Sequence, residues 1–280
     1  MGKKYEFMDE IKVFNGRTLH RIKRIKDGLI GGWIESEENL SHSGDCFVYE
    51  EAMVFDNAKI YDDAIVCDNA IVCDNAKIYG DAEVCGDARV WDNAEVYGDF
   101  ARVYDNAKIY DNAKVYGDAE VYGFAMVSDY ARVYGNADIC VSAWIKGNAE
   151  VYDEAEVYGN AEICDDARVY DEAEVCGNAR VYGDAEVYGC ARVYSEAEVC
   201  GDAWVSEGTI IGRISQPYES IFQYPCKDSI LTAILTEEGE ILYSIDYQYN
   251  MSKEIFLDRI YNNREEYLKL IPLIEMYFGK

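Results

Sequence analysis

The chain has 280 residues and a net charge of −28, from 54 acidic against 26 basic side chains. That excess excludes nucleic-acid phosphates and anionic membranes as direct partners of the acidic surface and favours a basic protein surface. Half of the residues are hydrophobic, but no run approaches the roughly 18 apolar residues of a membrane span, and Met1-Gly2-Lys3-Lys4 does not open a signal peptide, so a cytoplasmic protein is expected.

Residues 1–45 form the first of three segments. Ile11 to Phe14, the pair Asn15-Gly16 and Leu19 to Ile25 predict a β-hairpin, because Asn-Gly tolerates the positive φ of a two-residue turn. Lys3, Lys4, Lys12, Arg17, Arg21, Lys23, Arg24 and Lys26 make this end basic, either as a solvated hairpin face or as a docking patch for an acidic group. Gly31 to Ser41 lead into the second segment. The hairpin is expected to lie over an open sheet end that would otherwise stack on another molecule.

Residues 46–206 carry one six-residue pattern, Ala-x-Val/Ile-Tyr/Cys-Gly/Asp-Asn/Asp, in 26 copies from Ala52 to Ser206, with Cys46-Phe47-Val48 in the same frame. A period of six is a multiple of two, so alanine and the aliphatic residue share a face and the residue between them points outward. Gly, Asp and Asn then supply a corner. Strands this short are stable only when stacked coil on coil. Tyr61, Tyr79, Tyr97, Tyr116, Tyr134, Tyr152, Tyr170 and Tyr188 recur every 18 residues, or 19 where Phe100 reads as an additional corner residue, so three repeats make one coil. The predicted fold is an all-β solenoid, a parallel β-helix of about nine coils and roughly 43 Å at about 4.8 Å per coil.

The small-x-aliphatic hexapeptide resembles that of the left-handed parallel β-helix proteins, and the left hand is an expectation from that resemblance alone. Gly31-Gly32-Trp33-Ile34-Glu35-Ser36 and the residues to Ser41 resemble the lead-in of YdcK-like hexapeptide-repeat proteins, which are often prophage-associated and have no assigned activity. Many β-helix proteins of hexapeptide type are acyltransferases with a histidine base. Here His20 and His42 both precede the repeat, so no catalytic residue and no cofactor is expected. Seven cysteines take the tyrosine position of the repeat without Cys-x-x-Cys spacing, so no metal site is expected either. Cys67 and Cys85 fall on adjacent coils where oxidation could bridge them, but a cytoplasmic setting favours thiols.

The outward residues form three columns. One begins Met53, Ile71, Arg89 and places Met126 beside Trp144 as an exposed apolar spot; a second, Lys59 to Trp204, mostly alternates in charge. The third carries Glu120, Asp138, Glu156 and Glu174 in succession, read as acids with no opposite charge above or below. Corner acids Asp153, Glu154, Asp165, Asp166, Asp171 and Glu172 extend this candidate partner-binding surface.

Residues 207–280 predict a small α+β module. Ser229 to Thr236 and Glu240 to Tyr249 read as a hairpin across Glu237-Glu238-Gly239, followed by a helix from Lys253 to about Tyr261 capped by Ser252, and a second from Arg264 to Phe278 broken at Pro272. A capping role or a dimer contact is expected of it. The functional expectation is a non-enzymatic acidic binding protein: a phage-type inhibitor that occupies the basic nucleic-acid-binding cleft of a host protein such as a defence nuclease. The alternatives are a self-assembling scaffold, dimeric through the C-terminal module or trimeric through the faces, and an acyltransferase.

Overall fold

The computed structural model describes residues 2–201, 203–206, 209–211, 221–226, 229–235, 241–245, 248–260 and 271–277. They form a parallel β-solenoid of about ten coils with almost no helix. They group into two compact units, Met1–Glu154 and Ala155–Lys280, a boundary inside the repeat rather than at the predicted segment ends.

In the first unit most repeat strands are two residues long, as in Met53–Val54, Lys59–Ile60 and Ile65–Val66. Each pairs in parallel and in register with the strand one coil on, Met53 with Ile71, Lys59 with Lys77, and Glu83 with Arg102. The repeat alanines and the Val or Ile two residues later are buried throughout this unit. Each Val or Ile so buried contributes about 1.5–3 kcal/mol before chain entropy is subtracted. The outward residue between them is left to the surface.

Corners are built on the left-handed backbone region. Asp62 has φ 56° and Gly80 φ 70°, and aspartate or glycine fills this position in most coils because a short polar side chain or none tolerates it. The aspartates also accept hydrogen bonds from the next coil. Asp68 Oδ2 takes the Gly86 N–H at 2.8 Å, and Asp105 and Asp129 take those of Gly123 and Gly147 at 3.3 and 3.0 Å. Asn57, Asn75, Asn93 and Asn112 form an amide ladder, each Nδ2 donating to the next Oδ1 at 3.2 Å. Tyr61, Tyr79, Tyr97, Tyr116, Tyr134 and Tyr152 stack with centroids 4.7 to 5.0 Å apart. At the longer corner the Phe100 N–H bonds Gly117 O as the Asp81 N–H bonds Gly98 O, so the loop's added residue is Asp99 and not Phe100.

The hairpin is longer than its apolar pattern, Tyr5–Phe14 with Arg17–Arg24, and turns through Asn15 at φ 48° and Gly16 at φ 78°. It does not lie across the coil end. Its second strand pairs antiparallel with Ile30–Ile34, which pairs in parallel with Met53–Val54, so the hairpin extends one sheet in its own plane. A coil without the alanine repeat precedes the others. Leu40 bridges to Ile60, and Asn39 Nδ2 donates to Asp56 O and Ala58 O at 2.9 Å, doing for this coil what a strand backbone does elsewhere. Gly31 and Gly32 permit it, since a Cβ on either would lie 2.6 Å from a backbone carbonyl oxygen of the next turn, Val48 O or Ala52 O. The basic residues are used internally: Lys12, Arg21 and the Trp33 indole converge on Glu51 at 3.1, 2.7 and 3.0 Å, and Arg17 bridges Glu35 and Asp56.

The second unit repeats the ladder, with Arg168 beside Glu186, Glu186 beside Trp204, and Arg192 beside Ile210. Its C-terminal part is a four-stranded antiparallel sheet, Ile221–Cys226, Ser229–Leu235, Ile241–Ile245 and Gln248–Met251. The first strand was hidden by Pro225, and the run from Glu240 to Tyr249 contains two strands rather than one. Helices Lys253–Ile260 and Ile271–Tyr277 follow. Ser252 Oγ accepts the Ile255 N–H at 3.4 Å, and buried Tyr243 stacks on Phe256 at 4.8 Å. Pro272 lies in the first turn of the second helix, where its missing N–H removes no bond. The turn Glu237-Glu238-Gly239 and residues 261–270 lie outside the described residues.

Substituting Gly80→Ala forces a Cβ to 2.6 Å from Gly98 O at φ 70°. The urea midpoint should fall by an amount equivalent to about 2 kcal/mol, whereas Asp62→Asn, which keeps both the left-handed backbone and an acceptor, should leave it nearly unchanged.

Candidate acidic binding surface

The third face places Glu120 beside Asp138 in the first unit and Glu156 beside Glu174 in the second. Two of these acids do have opposite charges next to them, contrary to the sequence reading. Arg102 reaches Glu120 at 3.3 Å and Glu83 at 3.8 Å, and Arg192 reaches Glu174 at 2.9 Å. Arg102 and Arg192 are the in-register neighbours of Glu120 and Glu174, at the two ends of the acidic run.

The face acids also serve tyrosines. Tyr104 OH donates to Glu120 at 2.9 Å, Tyr122 OH to Asp138 at 3.2 Å and Tyr134 OH to Glu150 at 3.3 Å. In the second unit Tyr158 OH donates to Glu174, Tyr170 OH to Glu186 at 3.0 Å and Tyr182 OH to Glu198 at 3.2 Å. The spacing is 16 residues each time: from a corner to the outward position one coil on. Burial, aided by the Glu120 carboxylate, pushes the Tyr104 hydroxyl above its ordinary value. Burial also raises the Asp138 carboxyl, opposed by the Tyr122 hydroxyl.

Among the corner acids the structure separates two kinds. Asp153, Asp165 and Asp171 occupy the left-handed position, with φ 57° to 59°. Asp165 and Asp171 accept the N–H groups of Gly183 and Gly189, both at 3.1 Å, so they are parts of the corner. Glu154, Asp166 and Glu172 follow at the next position and are exposed, Glu172 accepting the Cys190 thiol at 3.3 Å.

That outer corner position reveals a column the sequence reading passed over. Asp63, Asp81 and Asp118 hold one corner position of their coils in the first unit; Phe100 holds it in the coil between, with Asp99 as the added residue just before it, and all four acids are exposed. Each follows the tyrosine stack by two residues, beside Tyr61, Tyr79, Tyr97 and Tyr116. No ion pair reaches any of them among the described residues; Asp63 accepts only the Asp45 N–H at 2.6 Å. Unit charges about 5 Å apart in water repel by roughly 1 kcal/mol. The signal was present in the sequence as an acid two residues after each tyrosine of the 18-residue series from Tyr61 to Tyr116.

On the first face Met126 and Trp144 are neighbours in register, but they do not form a bare apolar spot. Both are half-buried, the indole N–H donates to Ser128 Oγ at 3.2 Å, and Lys146 Nζ sits 4.0 Å from the ring centroid. Lower on that face an open groove of about 560 Å³ is lined by Met53, Ile71, Arg89, Lys108 and Phe124. Arg89 and Lys108 are neighbours in register and have no ion pair among the described residues. Cys67 and Cys85 form a disulfide, not the thiol pair expected from the compartment, because the register holds their Cα atoms 4.6 Å apart. His20 lies in the hairpin against Phe7, and His42 stacks on Tyr5 while its Nδ1 accepts the Lys4 N–H.

No described helix is long and apolar enough to cross a membrane. The chain matches no known protein family and no curated protein.

Tyrosine hydroxyls of the corners set an alkaline limit. Hydroxyls whose folded pKa is raised, Tyr104 and Tyr134 chiefly by burial and Tyr158 chiefly by its bond to Glu174, favour folding fully below the ordinary value of 10.0. That contribution is lost as pH rises beyond it, because the unfolded chain then releases protons the folded chain retains. Thermal midpoints should therefore fall above about pH 10, and a Tyr104→Phe, Tyr134→Phe, Tyr158→Phe variant should fall less steeply over the same range.

Proposed function

We propose that the chain is a non-enzymatic acidic binding protein that presents the column Asp63, Asp81, Asp99 and Asp118 to a basic surface of a nucleic-acid-binding protein. The observation that carries this reading is that these four exposed carboxylates recur once per coil and have no cationic partner among the described residues. Along this corner the acids recur at about 4.8 Å per coil, with Asp99 displaced by the added residue, a coarser row than the roughly 3.4 Å axial spacing of phosphates on one DNA strand. The stacked tyrosines beside the column offer ring faces and edges to arginine side chains, which a phosphate backbone lacks. Exposed Glu154, Glu156, Asp166 and Glu172 are further contact candidates; Asp165 and Asp171 are better kept for the corners. The lead-in resemblance to YdcK-like proteins, which are often prophage-associated, supports reading the target as a basic cleft of a cytoplasmic host protein, such as a defence nuclease, that the chain would inhibit by occupying it.

The test is competition. Proteins captured by the purified chain at low salt and released by raised salt should also be released by duplex DNA. The variant Asp63→Lys, Asp81→Lys, Asp118→Lys should retain them on the order of tenfold more weakly and with a shallower salt dependence. Equal retention by the variant, or partners indifferent to DNA, would reject the reading.

Self-assembly is the second reading, and the edge strand Tyr5–Phe14 favours it. This strand ends its sheet, and Ile11 and Val13 are 57% and 71% exposed on it. Unpaired edges of this kind recruit other strands. If that edge associates, the sedimentation coefficient should rise with concentration and the double variant Ile11→Lys, Val13→Lys should remain monomeric; a concentration-independent monomer excludes it.

A further inference from the structure

We propose that Cys67, Asp68 and Cys85 form a redox-gated site for a thiophilic divalent cation of the zinc class. The two cysteines are 18 residues apart at the same corner of adjacent coils, and their Cα atoms lie 4.6 Å apart. Their sulfurs and an Asp68 carboxylate oxygen all lie within 4.8 Å of one another. A tetrahedral zinc with bonds of about 2.3 Å to two thiolates separates them by roughly 3.8 Å, a span that adjacent coils offer without moving the backbone.

The three donors are held from behind. Cys67 N–H and Cys85 N–H bond Val84 O and Val103 O, both at 2.9 Å. Asp68 sits at φ 58°, its N–H donates to Glu50 Oε2 at 2.8 Å, and its Oδ2 takes the Gly86 N–H at 2.8 Å. The same Oδ2 lies 3.9 Å from Cys67 Sγ, so the oxygen that faces the sulfurs is held in place by the Gly86 N–H. Two thiolates and a carboxylate suit zinc or cadmium and leave a fourth position for water, since Asp68 is exposed and both cysteines are half-buried. The acidic surroundings raise the local cation concentration.

The disulfide closes this site, because both sulfurs are then bonded to each other. Opening it takes a dithiol reductant. Thiol–disulfide exchange transfers two electrons to the Cys67–Cys85 bond, the reductant's two thiols become a disulfide, and their two protons end on the freed sulfurs. The cation then displaces those protons, so binding is coupled to proton release.

The experiment uses the full chain, reduced and freed of reductant or left oxidised, titrated with cadmium alone under argon. Thiolate-to-metal charge-transfer absorbance reads cadmium–sulfur bonds, and a chelating dye reads stoichiometry. The reduced chain should bind one tightly held cation with release of protons, and the oxidised chain should lack that site. Cys67→Ser and Cys85→Ser should each weaken it by a hundredfold or so, and Asp68→Asn by about tenfold, in line with the loss of one metal-bound or metal-orienting group. Serine already occupies the equivalent position of another corner at Ser128, and asparagine tolerates the backbone of Asp68, so these variants keep the fold. Equal binding by oxidised and reduced chains overturns the proposal, as does tight binding by the reduced chain that survives both serine substitutions.

Discussion

Two-residue strands have no means of satisfying their own backbone, so each coil of this solenoid depends on the hydrogen bonds of the coil beside it. Met53 N–H reaches Ala70 O, Phe55 N–H reaches Val72 O, and the corner Asn69 N–H reaches Gly86 O, so even the turns belong to the ladder. That requirement fixes the corner backbone, and with it the residue types. A left-handed residue is needed where the chain changes face, and aspartate serves twice there, tolerating the conformation and accepting an N–H from the next coil. Many acids that look like surface charge in the sequence are therefore pieces of the scaffold.

Parallel in-register stacking also sets each residue beside its counterpart one coil on, and the consequence depends on its chemistry. Tyrosines gain, since offset rings at about 5 Å attract by roughly 0.5–1.5 kcal/mol a pair, and asparagines gain by bonding amide to amide. Charged residues gain only where the sequence alternates them. Lys77, Glu95 and Lys114 form one such run, and Glu83, Arg102 and Glu120 another. Exposed pairs of this kind are worth little individually, but they remove a repulsion that the stacking would impose. Where alternation stops, like meets like: Arg89 beside Lys108, and Asp63, Asp81, Asp99 and Asp118 along one corner. Those places carry electrostatic cost with no internal gain.

The solenoid was legible because its period is written many times, and the three-repeat coil because tyrosine returns at 18 residues. The first coil was not, since Asn39 and Leu40 replace the alanine pattern with a side-chain amide and a single bridge. Charge pairing on the third face was misread because the run was taken without its two ends, where Arg102 and Arg192 are the in-register neighbours of Glu120 and Glu174. The outer corner column of the first unit was missed because corner acids drew notice only in the later coils, from Asp153 to Glu172, and not beside Tyr61, Tyr79, Tyr97 and Tyr116. The bridge between Cys67 and Cys85 was visible as a spacing, yet compartment was allowed to outweigh a Cα separation that the register makes short. In the C-terminal module, Pro225 disguised a strand; a proline at its end still allows the antiparallel pairing of Ile221–Cys226.

Net charge is therefore a poor measure of a binding surface in such a fold. Asp68, Asp105, Asp165 and Asp171 are committed to backbone N–H groups, and Glu120, Glu150, Glu174 and Glu186 to tyrosine hydroxyls and arginines. A partner that approached these would have to compete with bonds already made inside the solenoid. The outer corner acids Asp81, Asp99 and Asp118 have no such ion-pair commitment among the described residues, so their repulsion is relieved only by something added from outside. A binding surface is better sought where a periodic structure tolerates repeated like charge without using it than where the acids are simply most numerous.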